Sequence, residues 1–215
     1  MHIVATVEEA LAVQERLRGL VDLADDCPEL PPTVTGLDVA YGEGDGIAAA
    51  VVTLNTADLS VVEQRTVRTT AAFPYEPGLF AFRELPPLLT ALDQLGRTPD
   101  VLVCDGHGLA HPRRFGLACH IGVVTGLPAF GVGKTRFVGE AEEPGRTRGS
   151  STPLVDGGEV VGAVLRTQDD VKPVYVSVGH RIGLDHAIRL TLALTPKFRL
   201  PETTRLADQL SRKTL

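Results

Sequence analysis

Asp105 closes the apolar run Val101-Leu102-Val103-Cys104 and is followed within nine positions by His107, His111, Arg113 and Arg114. Four apolar residues ending on an acid read as a buried central strand whose carboxylate stands at the carboxyl edge of an open α/β sheet, where such sheets present ligands. Gly106 and Gly108 let backbone approach a substrate closely, and the planar fork of Arg pairs two phosphate oxygens at once. A carboxylate suited to a metal, with phosphate donors beside it, points to phosphodiester chemistry.

Other residues could join it. Asp38 lies in Gly36-Leu37-Asp38-Val39-Ala40-Tyr41, and Glu84 ends Pro74-Tyr75-Glu76-Pro77-Gly78-Leu79-Phe80-Ala81-Phe82-Arg83-Glu84. Taken singly, a strand Asp is more often a bulge or turn acid than a ligand, and Glu84 reads equally well as a solvated helix acid beside Arg83. Gly131-Val132-Gly133-Lys134-Thr135 imitates the end of a phosphate-binding loop, but the position five before Gly133, where that loop needs glycine, is Pro128. The phosphate-loop reading fails, which leaves Lys134 as a point charge for phosphate or a solvated loop residue. His180, in Ser177-Val178-Gly179-His180-Arg181, reads as a structural histidine at a strand-to-helix junction or as a site residue.

Elements must hold these groups in place. Leu11, Leu17 and Leu20 predict an amphipathic opening helix over Leu11 to Leu20, stopped by Pro28, Pro31 and Pro32. Val34 to Tyr41 alternates as a strand, with Leu37, Val39 and Tyr41 on one face and Gly36, Asp38 and Ala40 on the other. Ile47 to Leu54 and Val61 to Val67 continue it as a meander, separated by turn formers at Gly42 to Gly46 and Asp58. A helix follows over Leu79 to Leu95, broken by Pro86 and Pro87 into an initial turn and a longer piece. The strand ending at Asp105, a helix over Gly116 to Val124 and a strand over Ala129 to Val132 complete an α/β fold, a mixed five-stranded central sheet flanked by helices. Further on, Gly139 to Gly149 reads as an exposed loop and Leu154 to Val160 as a hairpin with a tight Asp-Gly-Gly turn. If the first and fourth strands pair, Asp38 and Asp105 become neighbours.

Composition narrows the class. A chain of 215 residues suits one domain, since domains typically run to roughly 100 to 200 residues. The net charge of −6 argues against a protein that coats nucleic acid without selectivity, because most of that affinity comes from neutralising phosphates with Lys and Arg. It is compatible with a nuclease, whose clustered acids hold metal. Cys27, Cys104 and Cys119 are too few and too scattered for a disulfide framework, and are expected to be reduced. No apolar segment is long enough to span a membrane, and the N-terminus is too acidic for a signal peptide. A cytoplasmic monomer is the default expectation.

The segments Pro74 to Glu84, Asp105 to His120 and Gly131 to Thr135 resemble, in order and spacing, the motifs of the endonuclease V family of deoxyinosine-directed nucleases. The likeness runs from Gly36-Leu37-Asp38-Val39-Ala40-Tyr41 to Ser177-Val178-Gly179-His180-Arg181 and a tail containing Arg199-Leu200-Pro201-Glu202. The resemblance implies a ribonuclease H-like fold over residues 1–215. It implies Asp38, Glu84 and Asp105 as ligands of Mg²⁺, with Mn²⁺ as a substitute, His180 close to them and Lys134 as the catalytic lysine. Pro74-Tyr75-Glu76-Pro77 resembles the family's wedge, a stiff loop that enters the duplex beside the lesion, and otherwise would be a proline-stiffened turn. Gly78, Phe80, Gly106 and Leu117 match pocket positions for an extruded base, although Phe80 and Leu117 read equally as core. Arg83, His111 and Arg113 resemble residues that contact DNA or the catalytic centre, and Arg113 reads also as a surface charge. Two residues depart from the pattern: His107 stands where many relatives carry Gln, and Glu76 sits in the wedge where an apolar residue is frequent.

The implied activity is hydrolysis of the second phosphodiester bond 3′ to deoxyinosine in DNA, leaving 3′-hydroxyl and 5′-phosphate ends. Two alternatives stay open: an endoribonuclease for inosine in RNA, which the 2′-hydroxyl would distinguish, and a non-catalytic module that binds lesions.

Overall fold

The structure, a computed structural model, describes residues 4–215. In chain order it contains α1 (Val7–Arg18), β1 (Thr33–Tyr41), β2 (Gly46–Asn55), β3 (Val61–Thr70), α2 (Ala81–Asp93), β4 (Leu102–Cys104), α3 (Leu117–Thr125), β5 (Ala129–Gly133), β6 (Ser151–Asp156), β7 (Glu159–Leu165), β8 (Val174–His180), α4 (Leu184–Ala193) and α5 (Glu202–Thr214). The strands form one mixed sheet in the order β3-β2-β1-β4-β5-β8-β7-β6. The five expected strands are contiguous in it, but the expectation of a five-stranded sheet is corrected to eight. β8 pairs antiparallel with β5, and the β6–β7 hairpin joins through β8. That hairpin turns at Gly157 and Gly158, both at positive φ, as the Asp-Gly-Gly sequence predicts.

β1 shows how the sequence sorts the layers. Leu37 packs with Ala49, Val51, Leu85, Leu88, Leu117 and Ile121, which places α2 and α3 on its face. On the opposite face Ala50, Val52 and Leu54 of β2 pack with Ala207 of α5, while α4 covers Val174, Val176 and Val178. Gly36 explains how closely α5 lies on β1: a methyl group there would stand 2.3 Å from the carbonyl carbon of Thr203. Gly36→Ala is therefore expected to push α5 off the sheet and cost about 1–3 kcal/mol, read as a drop of several degrees in thermal unfolding. An unchanged melting temperature would show that α5 is free to shift.

Two helices differ from their sequence reading. α2 runs unbroken through Pro86 and Pro87. The prolines remove two helical hydrogen bonds, but Ala81, Phe82, Leu85, Leu88 and Ala91 are all buried, and tertiary packing of that stripe holds the helix continuous. α1 begins earlier than expected because Thr6 and Glu9 form a reciprocal capping box, and it ends at Arg18. Its inner face carries Ala10, Val13, Gln14 and Leu17 at i, i+3, i+4 and i+7, whereas Leu11 and Leu20 are exposed. α4 and α5 have no counterpart in the sequence reading.

Candidate active site

β1 and β4 run parallel with Leu37 opposite Cys104, so the next residue of each strand, Asp38 and Asp105, emerges side by side at the carboxyl edge. The Asp105 amide donates to the Leu37 carbonyl at 3.3 Å, which fixes that step. β5 is also parallel and ends at Gly133, so Lys134 leaves the same edge. Its ammonium donates to Asp105 Oδ2.

Asp38 is pushed up to about 8, first by burial, then by the charge of Asp105 and a hydrogen bond to it, then by Asp208, with Lys134 opposing. Lys134 is raised: burial works against its charge, but Asp105, Asp38 and Asp208 outweigh it. Asp208, on α5, is thus a third carboxylate at this edge, and the sequence reading did not single it out. Ser211, one helical turn further, sits 3.1 Å from Asp38 Oδ2 and 2.9 Å from the Asp208 carbonyl, tying α5 to β1. Only the recognition of α5 as a helix packed on β1 would have pointed to Asp208.

Glu84 approaches from α2, on the other face of the sheet. Burial raises it to about 7; the charge of Asp105 adds to this, while a 2.5 Å hydrogen bond from the Tyr41 hydroxyl opposes it. Tyr41 at the end of β1 is a second residue whose contact was not foreseen. Among the described residues no three His, Cys, Asp or Glu side chains already surround one point as a metal cage would. The donor chemistry nonetheless fits a hard divalent cation: oxygen donors only, and more clustered negative charge than one lysine neutralises.

His180 does not join this group. Ala129 pairs with His180 and Gly133 with Tyr175, so His180 lies at the end of β5 opposite to Lys134. Its Nδ1 accepts from the Asp22 amide at 3.0 Å. The structural reading of this histidine is the one its position supports.

Pro74, Tyr75 and Pro77 form an exposed loop with Glu76 half-buried, and Tyr75 is 68% exposed. The flanks are fixed instead: Phe73 and Leu79 are buried together with Phe82, Ala10 and Val4. Arg83, buried and over the Tyr41 ring at 5.3 Å, donates to the Phe73 carbonyl at 2.9 Å. Gly78, at positive φ, has its carbonyl 2.7 Å from Arg113 Nη2 and 3.0 Å from His111 Nε2. Arg83, His111 and Arg113 are thus occupied in holding the ends of this loop. Gly106 lies beside Phe80, whose Cζ would stand 3.8 Å from a methyl group there, whereas Leu117 is part of the core under α3. His107 lies between the two regions, its Nε2 3.0 Å from the Thr135 carbonyl and its ring stacked on Phe137 at 6.0 Å.

Comparison with known proteins decides the relationship. The profile of the family described as Endonuclease V matches residues 15–209. The chain belongs to the endonuclease V family. The endonuclease V of Streptomyces avermitilis is 58% identical over 215 residues, covering 98% of this chain and 93% of that protein. The family's fold is equally close: the crystal structure of the Streptomyces avermitilis protein superposes with a TM-score of 0.95 at 56% identity, covering 99% of this chain and 94% of that one. A crystal structure of Ciona intestinalis endonuclease V, in complex with a 24mer DNA containing an inosine followed by a ribo-adenosine, superposes with a TM-score of 0.86 at 26% identity, covering 97% of each chain. No helix among the described residues is long and apolar enough to cross a membrane.

Proposed function

We propose that this single-domain, ribonuclease H-like protein is a DNA-repair endonuclease that recognises deoxyinosine and hydrolyses the second phosphodiester bond on its 3′ side. The observation that carries the reading is the meeting of Asp38, Asp105 and Lys134 at one sheet edge in a member of this family. Asp38, Asp105 and Glu84, with Asp208 behind them, are the residues that would hold Mg²⁺, with Mn²⁺ as a substitute. When bound, the cation lowers the pKa of an attacking water and neutralises charge on the phosphate. Lys134 contributes a positive charge beside that phosphate. Water oxygen forms the new bond to phosphorus, the bond to the 3′ oxygen breaks, and that oxygen takes a proton, leaving 3′-hydroxyl and 5′-phosphate ends.

Pro74 to Pro77 serves as the wedge, with Tyr75 offering a face on which a base can stack while the lesion is extruded. Gly78, Phe80 and Gly106 line the pocket. Glu76, inside the wedge, brings a carboxylate close to the duplex backbone and tempers affinity.

The test is a 5′-labelled duplex with one deoxyinosine, incubated with Mg²⁺ or EDTA beside an unmodified duplex and an RNA of the same sequence containing inosine. A Mg²⁺-dependent cut one nucleotide 3′ of deoxyinosine is the expected result, and equal cutting of the unmodified duplex would sink the reading. The ribonucleotide in the Ciona intestinalis complex gives the RNA reading its support. Selective cutting of the RNA would favour it.

A further inference from the structure

Gln14 is a polar residue in the middle of the buried face of α1, and it is 1% exposed. An uncharged amide at such a position costs stability unless its hydrogen bonds are met. All of its side-chain hydrogen bonds cross to distant segments. Its Nε2 donates to the Gly78 carbonyl at 3.0 Å and to the Phe115 carbonyl at 3.2 Å. Its Oε1 accepts from Arg113 Nε at 2.5 Å. Arg113 Nη2 and His111 Nε2 converge on the same Gly78 carbonyl. That carbonyl therefore meets three side chains at the point where the exposed loop re-enters the protein.

The charges around this knot are arranged for permanence. Burial and the neighbouring Arg113 charge bring His111 down to about 4, so it is neutral at physiological pH, and with one N–H it donates to Gly78 from Nε2 while its Nδ1 accepts from the Arg113 amide at 3.1 Å. Gln14 is the member that orients Arg113, because it alone holds the Nε edge of the guanidinium. Around the knot, Ala10 and Val13 of α1 pack on Phe73, Leu79 and Phe82, which clamps both flanks of Pro74 to Pro77. Residue 14 immediately precedes the segment matched by the family profile.

We infer that Gln14 is a positioning residue for lesion recognition: by fixing Gly78 and Arg113 it holds the Pro74–Pro77 loop at the angle at which it enters a duplex. The inference rests on the wedge reading above. Preorganising a loop lowers the ordering cost that binding must otherwise meet. The effect belongs to substrates whose bases must be unstacked, because a single strand needs no wedge.

The experiment compares the full chain with Gln14→Leu, Gln14→Glu and Tyr75→Ala. Each is assayed with Mg²⁺ on a deoxyinosine duplex and on the same strand unpaired, with thermal unfolding followed in parallel. Gln14→Leu is expected to lose about tenfold in kcat/KM on the duplex, mostly through KM, and no more than about threefold on the single strand. Gln14→Glu keeps the acceptor for Arg113 and is expected to recover part of the duplex loss. Equal losses on both substrates with a lowered melting temperature would reduce Gln14 to a packing residue and overturn the inference, as would wild-type behaviour of Gln14→Leu. The two levels separate through the third variant: if Tyr75→Ala cuts the duplex normally, the wedge reading itself falls, whereas a duplex-selective defect in Tyr75→Ala without one in Gln14→Leu overturns only the role of Gln14.

Discussion

Asp105→Ala is expected to cleave deoxyinosine DNA at least about 10³-fold more slowly than the native chain, a loss of more than about 4 kcal/mol of transition-state stabilisation. Three features of the site converge on this carboxylate. It sits at the one place where the β1–β4 register brings two acids side by side, and it is the partner of Lys134. It also contributes to raising both Asp38 and Glu84. Removing it takes away one of the carboxylates proposed to hold the cation and the direct partner of Lys134, whose charge is then balanced by Asp38 and Asp208 alone. Binding should survive within about tenfold, because the loop proposed to enter the duplex is anchored elsewhere, by Arg83 at Phe73 and by Gln14, His111 and Arg113 at Gly78. Single-turnover cleavage with Mg²⁺ and electrophoretic mobility shifts on the same deoxyinosine duplex separate the two quantities. A variant that cuts at the native rate would move the proposed metal centre away from the β1–β4 edge. Loss of binding in step with cleavage would instead give Asp105 a role in holding the nucleic acid.

The parts of this arrangement visible in the sequence are those in which local pattern and chemistry coincide. Val101 to Cys104 is apolar without interruption because it is buried on both faces, and the acid that follows marks where burial ends. The alternation of β1 correctly separates Leu37 from Asp38, since a strand turns successive side chains to opposite faces. What escaped are contacts that depend on long-range packing. Asp208 lies 170 positions from Asp38 along the chain, on a strongly amphipathic helix, α5, whose polar residues outnumber its apolar ones, so its inner face announces no site. Gln14 was hidden because Leu11 and Leu20 suggested the wrong stripe, although a Gln within the true i, i+3, i+4, i+7 face was a signal. His180 shows the opposite error: a histidine in a motif-bearing strand, assigned to the site, but carried to its far end by the antiparallel course of β8. Arg83 and Arg113 carry the charge, and His111 the N–H donor, expected of phosphate contacts, yet their backbone partners, together with burial at Arg83 and His111, direct them inward.

The raised carboxyls give the second large expected effect. The Asp38 carboxyl moves from an ordinary 3.8 to about 8 on folding, and Glu84 from 4.5 to about 7. Between those limits the unfolded chain has released these protons while the folded chain still holds them. The folded state therefore binds more protons, and the stability of the metal-free protein falls as pH rises from about 4 to about 8. A divalent cation takes the place of the protons, so its stabilising effect should grow over the same window. The increase in melting temperature produced by Mg²⁺ relative to EDTA is thus expected to be small at pH 5.5 and several degrees at pH 8.5. Asp38→Asn removes one of the crowded charges and should make the metal-free protein more stable than the native chain at pH 8.5, by on the order of 2 kcal/mol once solvent screening at this edge is allowed for. It should also flatten the pH dependence and abolish most of the response to Mg²⁺. The same substitution must cost activity, because the repulsion it relieves is what the cation relieves in the native protein. Thermal unfolding across pH with Mg²⁺ and with EDTA decides the matter. A Mg²⁺ response that does not change with pH, or an Asp38→Asn protein less stable than the native chain at pH 8.5, would mean that Asp38 is held comfortably by Lys134 and Ser211 and is not kept under repulsion for a metal.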